Sequence, residues 1–167
     1  MPTYNIVILT ARHSISGQLV LNEQRLSDFL NDRRDTALTL LNTKVARLNE
    51  PSKILQQHSE SVIPKAWMVV AFEPPQKDST ASKRLFGYVQ KQQYEVFLIL
   101  EGMEVRGTLH TPGGLDLRRL LATTSDSFVP ITQAVVSLYQ NDRYVIEQDA
   151  IMVNTRLLRY IGIQPIK

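Results

Sequence analysis

The chain has 167 residues, 43% hydrophobic and 21% charged, and its 19 basic and 16 acidic side chains leave a formal charge of +3. At about 100 to 200 residues per domain, this is enough for one full-sized domain or two small ones with real cores, and disorder is excluded for most of the length. There is no cysteine, so disulfide frameworks, thiol nucleophiles, thiolate zinc sites and iron–sulfur clusters are excluded together.

In chain order, Met1-Pro2-Thr3-Tyr4 leads straight into an apolar run without a basic leader, so no signal peptide is expected and the expected compartment is the cytoplasm. Tyr4 to Leu9 (YNIVIL), short and rich in Ile and Val, reads as a buried strand. A turn at Ala11-Arg12-His13 follows, and then Ile15, Gly17, Leu19 and Leu21 alternate with other residues, as in a strand with one wet face. Leu26, Phe29 and Leu30, at i, i+3 and i+4, predict a helix of one or two turns, which is stable only if its apolar stripe docks on the sheet. A strand from Ala37 to Leu41 continues through Val45 to Leu48. Asn49-Glu50-Pro51-Ser52 is a turn before Ile54-Leu55. Ala66 to Phe72 is predicted as the last strand of this half, with Trp67 in the core. It is the longest unbroken apolar stretch, far short of the roughly 20 residues of a membrane-spanning helix.

Pro74 to Lys83 (PPQKDSTASK) is the low-hydrophobicity stretch and reads as a linker. Arg84 to Val89 turns apolar again, either extending the next strand or forming a hairpin with Ala66 to Phe72.

Beyond the linker the apolar pattern returns. Tyr94 to Ile99 with Val105, Gly107 and Leu109 repeats Tyr4 to Leu9 with Ile15, Gly17 and Leu19 at an offset of 90, and Glu101-Gly102 supplies the turn. The same offset carries Leu38, Leu41, Val45 and Leu48 onto Phe128, Ile131, Val135 and Leu138. Leu26, Phe29 and Leu30 match Leu117, Leu120 and Leu121 after one inserted residue, with Asp116 as N-cap. Ile63, Met68, Val69 and Phe72 match Met152, Leu157, Leu158 and Ile161 at offset 89. A glycine at one strand position in both copies, Gly17 and Gly107, predicts a bulge, a bend or close approach of another backbone. Pro130 predicts an edge or a break in pairing at the start of its strand. The expected architecture is mainly β with short helices: two tandem, pseudo-symmetric small β-barrels of SH3- or Sm-like type. The first repeat spans residues 1–73, the linker 74–83 and the second repeat 84–167.

Two resemblances accompany this pattern. Arg25-Leu26-Ser27-Asp28-Phe29-Leu30-Asn31, with Phe128-Val129-Pro130-Ile131-Thr132, resembles a family of uncharacterised bacterial domains with an RLSDxLN signature and an FLPLT segment, a likeness that brings no activity with it. The second copy departs from the signature at residues 116–122. More distantly, residues 101–109 and 150–162 are similar in order and spacing to the two motifs of Sm-like barrels. The aspartate–asparagine pair with which Sm proteins hold RNA bases is absent at a matching position, so no RNA-binding residue carries over.

Chemistry-bearing residues are sparse. His13, His58 and His110 lack metal-site spacing and read as exposed structural residues. Asp28, Asp32 and Asp35 cluster in sequence only: Asp28 fits the wet side of a helix, while Asp32 and Asp35 balance Arg33 and Arg34. Gly113-Gly114 permits a turn before a helix. No catalytic, metal-ligating or cofactor-binding residue is assigned, and no cofactor is expected. A basic strip with aromatic faces would bind single-stranded nucleic acid, and the nearest approach is Tyr88, Lys91 and Tyr94 with Lys83 and Arg84 upstream. The favoured reading is a non-catalytic interaction or assembly module of a bacterial complex, with a protein partner or self-association. The alternative is an RNA or single-strand binder with Lys83, Arg84, Lys91, Arg118 and Arg119 as phosphate contacts, and an enzyme with a scattered active site ranks third.

Overall fold

The computed structural model describes residues 3–74, 92–111, 114–122, 126–139 and 141–166. Its first half runs β1 (Thr3–Leu9), β2 (His13–Val20), α1 (Leu26–Asn31), β3 (Ala37–Arg47), β4 (Glu50–Pro64), a 3-10 turn at Lys65–Trp67 and β5 (Val70–Phe72). The second runs β6 (Gln92–Leu100), β7 (Met103–Thr111), α2 (Leu117–Leu120), β8 (Phe128–Leu138), β9 (Asn141–Asn154), a 3-10 turn at Thr155–Leu157 and β10 (Leu158–Pro165).

The protein is mainly β, and these ten strands form one antiparallel sheet in the order β10-β6-β7-β8-β9-β5-β1-β2-β3-β4. The sheet is open, which corrects the expectation of two closed SH3- or Sm-like barrels. The reason lies in β5. It pairs with β1 along one edge and with β9 along the other, so it has no edge left to close the first half against β4.

Two apolar cores flank the junction. One gathers Val96, Leu98, Met103, Val105, Ile131 and Val136 from the second half, together with Leu9, Leu48, Val69, Val70 and Phe72 from the first. The other gathers Ile6, Leu19, Leu26, Leu30, Leu38 and Met68 from the first half, together with Phe128, Ala150 and Met152 from the second. Successive side chains of a strand point to opposite faces. In β9, β5 and β1 they therefore enter the two cores alternately: Met152, Ala71 and Ile8 one, Val153, Val70 and Leu9 the other. Burial on both faces explains why Val70–Phe72 and residues 150–153 are unbroken apolar runs, where a one-sided strand would alternate.

Gly17 and Gly107 both stand where a ladder slips register, β2 against β3 between Ser16 and Gln18, and β7 against β8 between Arg106 and Thr108. Across each slip the partner strand turns through a positive φ, at Asn42 (50°) and Gln133 (48°). A Cβ on Gly107 would lie 2.4 Å from Ile131 Cγ2, and one on Gly17 would lie 3.0 Å from Thr43 Cγ2. Both the bulge and the close approach expected of these glycines are present.

Several details differ from the sequence reading. Trp67 is 69% exposed, not core, because residues 65–67 turn out of the sheet before β5 starts. β4 runs on to Pro64 through a polar stretch that carries no alternation, since its outer edge and most of its side chains face solvent. α1 docks through Leu26 and Leu30 as expected, but α2 buries no residue and leaves Leu121 exposed. Phe72 lies opposite Val7 and Gly162 opposite Phe97, a spacing of 90 at this end where the sequence match took 89. Val45 lies opposite Ile15 and Val136 opposite Val105, so β3 and β8 match one residue further along than the offset of 90 took them. At Pro130 β8 has only β9 beside it, because the β7 ladder begins at Ile131. The linker from residue 75 on, and the apolar segment from Arg84 to Val89, lie outside the described residues.

Candidate assembly edges

The seam between the halves is short and fully buried. Val70 lies opposite Val153 and Ala71 opposite Met152, and all four side chains are excluded from solvent. Asn154 locks its end: its backbone N–H donates to Val69 O at 3.0 Å and its side-chain Nδ2 to Met68 O at 2.9 Å, while its Oδ1 accepts from Arg156 N at 3.0 Å. A buried amide satisfied by three partners costs little to bury and fixes the register of the seam.

Among the described residues the two outer strands have no such cover: β4 has only β3 beside it and β10 only β6, so each turns one row of backbone N–H and C=O groups away from its neighbour. Large apolar side chains lie on these strands: Val62 on β4 is 62% exposed and Tyr160 on β10 is 52% exposed.

A second cluster surrounds the end of α1. Lys65 Nζ donates to Phe29 O at 2.8 Å and to Asp32 O at 3.1 Å, and lies 5.0 Å from the centre of the Phe29 ring. The ammonium thus adds a charged donor to two carbonyls at the C-terminal end of the helix, which also accept long backbone bonds, Phe29 O from Asp32 N and Asp32 O from Asp35 N, each at 3.4 Å. Burial pushes Lys65 below its ordinary pKa, against the pull of the Asp35 and Asp32 carboxylates. Asp32 accepts from Arg34 Nε at 3.0 Å and Nη2 at 2.8 Å. These bonds, with that from the Arg34 backbone N–H, hold its carboxyl down at about 2. The cleft here, of about 460 Å³, is lined by Leu30, Thr36, Lys65, Phe128, Asn154 and Leu157 among others. Its polar groups are engaged in capping and in the seam, which makes it structural.

Of the phosphate-contact candidates, Lys83, Arg84 and Lys91 lie outside the described residues, as does Tyr88. Arg118 and Arg119 are exposed neighbours on α2, with both backbone N–H groups bound to Asp116 Oδ1, the expected N-cap. The fold brings a third arginine beside them. Arg156 Nη1 donates to Leu121 O and Ala122 O just beyond α2, a proximity no spacing in the sequence signals. Tyr94 packs on the second core and its hydroxyl bonds Gln92 and Leu115, so it is not a free stacking face. His13 and His58 are exposed, while His110 is half-buried with Nε2 2.7 Å from Thr132 Oγ1. Among the described residues no three His, Asp or Glu side chains converge as a metal site, and no helix is long and apolar enough to cross a membrane. No family model, no curated protein and no solved structure matches the chain.

Proposed function

We propose that the chain is a non-catalytic assembly module, one folding unit written twice, which serves a larger bacterial complex in the cytoplasm by taking protein partners on its sheet edges. The observation that carries this reading is the pair of outer strands, β4 and β10, at opposite ends of one sheet, each with a single neighbour among the described residues. Unpaired backbone rows template strand addition, a recurring mode of protein recognition. The duplication is supported by matching element order and by matching registers: Ile6 opposite Gly17 and Val96 opposite Gly107, Leu9 opposite Val70 and Ile99 opposite Tyr160.

The competing reading, an RNA or single-strand binder, rests on phosphate contacts from Arg118, Arg119 and the basic residues near position 84. It is tested by the anisotropy of a labelled single-stranded oligonucleotide titrated at several salt concentrations. Phosphate contacts make log K fall steeply with log salt, about 0.7 per phosphate neutralised on a single strand. The expected result is no tight, salt-steep binding. A steep slope would replace the protein-assembly reading with the nucleic-acid one.

A further inference from the structure

We infer that copies of this chain join head to tail, the outer edge of β4 in one pairing antiparallel with the outer edge of β10 in the next, Ile63 opposite Tyr160 and Val62 opposite Ile161. This rests on the protein-assembly reading and names the partner as a second copy.

The seam inside the chain is the template. β10 lies against β6 as β5 lies against β1: Val70 and Ala71 face Leu9 and Ile8, and Tyr160 and Ile161 face Ile99 and Leu98. The β2–β3 and β7–β8 ladders match Val45 with Val136, and so Leu38 with Val129 where the sequence match took Phe128. On that match β4 lies against β3 as β9 lies against β8, Ile63 opposite Leu38 and Val153 opposite Val129. Equal register on the inner side means the same sequence of N–H and C=O groups on the outer side. The free edge of β10 therefore presents what β5 presents to β9, and the free edge of β4 presents what β9 presents to β5. The two free edges complement one another as the two seam edges do.

Side chains agree with the backbone. The seam positions equivalent to Val62 and Tyr160 are Met152 and Val70, both fully buried, whereas Val62 and Tyr160 are 62% and 52% exposed. In the joined arrangement Val62 lies beside Ile161, which packs on the neighbouring chain's second core, and Tyr160 lies beside Ile63, which belongs to the first core. Native edges are commonly blunted by inward charges or central prolines. Residues 61–63 of β4 and 160–163 of β10 hold neither.

The joint also differs from the seam in a way that sets its strength. Pro64 stands where Asn154 donates its N–H to Val69 O, so that bond and the Asn154 side-chain bonds have no equivalent. Against this, β10 has eight residues where β5 has three, and the ladder continues past Ile161 with Gly162 opposite Ser61. The association is thus reversible where the seam is permanent. Such an interface uses different surfaces on its two sides, so it builds a ring if the rotation closes and a filament if it does not.

The cysteine-free chain allows a clean test. Directly opposed residues of an antiparallel pair have Cα atoms about 4.5 to 5.5 Å apart, within reach of a disulfide. Val62→Cys and Ile161→Cys are made as separate single variants of the full chain, mixed and mildly oxidised, with sedimentation equilibrium of the unmodified chain alongside. The expected outcome is a linked pair from the mixture, little from Val62→Cys mixed with Tyr160→Cys, whose side chains leave opposite faces, and an unmodified mass above the 19.0 kDa of one chain. A mass of one chain at all concentrations, with no link, overturns the inference. An oligomer without the Val62–Ile161 link overturns it as well, yet leaves the assembly reading standing, which fails only on salt-steep oligonucleotide binding.

Discussion

Asn31, the last residue of α1, holds Phe128, the first residue of β8, with both ends of its side-chain amide: Nδ2 donates to Phe128 O at 2.9 Å and Oδ1 accepts from Phe128 N at 2.8 Å. β9 occupies one side of β8 here and the β7 ladder has not begun, so the amide serves as a one-residue strand on the open side. It also ties the helix of one half to the sheet of the other.

Replacing Asn31 with Asp removes the donor to Phe128 O and sets a carboxylate against a carbonyl. The expected cost is about 1–3 kcal/mol, the range for leaving a buried or half-buried polar group without its partner. A urea unfolding curve reads this as a lower midpoint, and an unchanged midpoint would show that the amide contributes nothing net.

The two bulge glycines differ in how tightly they are enclosed. At Gly107 a Cβ meets Ile131 Cγ2 at 2.4 Å and Thr132 O at 2.7 Å, backbone that cannot step aside; at Gly17 it meets a side-chain methyl at 3.0 Å and Leu41 O at 3.1 Å, so less has to give. Gly107→Ala is expected to cost about 1–3 kcal/mol by overpacking. Gly17→Ala is expected to cost less, offset in part by the smaller entropy of the unfolded alanine chain. Thermal unfolding of the two variants gives the order, and the reverse order would contradict this geometry.

Met152 belongs to the second half but packs in the core of the first, and it is fully buried. Truncation to Ala leaves a cavity and is expected to cost about 2–5 kcal/mol. Because the cores share strands, the loss should appear as faster amide exchange in β1 and α1 as well as in β9, within one cooperative transition. Exchange changes confined to β9 would show the halves to be independent.

Asp32 has a folded pKa of about 2 against an ordinary 3.8, held down chiefly by the Arg34 side chain. Between these values the unfolded state binds more protons, so stability rises with pH through that window. The contribution is present above about pH 4 and is lost as pH falls through about 2. The Asp32→Asn variant should show a flatter acid limb in a pH series of unfolding midpoints, and an identical limb would assign no role to the ion pair.

The local pattern of the chain carried a large part of this fold. Alternation marked β2 and β7, the i, i+3, i+4 spacing of Leu26, Phe29 and Leu30 marked α1, and the recurrence of Gly17 at Gly107 marked both bulges. Trp67 was illegible because an apolar residue in an apolar run looks the same whether it enters a core or follows a 3-10 turn outward. The long tail of β4 was illegible for the opposite reason, since an edge strand with solvent on most sides imposes no period on its residues.

From the sequence alone follow the strand-rich class, the returning apolar pattern and the turns at Ala11-Arg12 and Glu101-Gly102, because side-chain burial and glycine's tolerance act on residues close in the chain. The turn set at Asn49 to Ser52 does not, since β4 already runs from Glu50. Only the tertiary structure decided that the sheet stays open, that β5 pairs with β9, that each half lends residues to the other's core, and that β4 and β10 are the outermost strands among the described residues. Strand pairing is made by backbone groups that nearly every residue carries alike, so the choice of partner leaves almost no trace in the identities of the residues that make it.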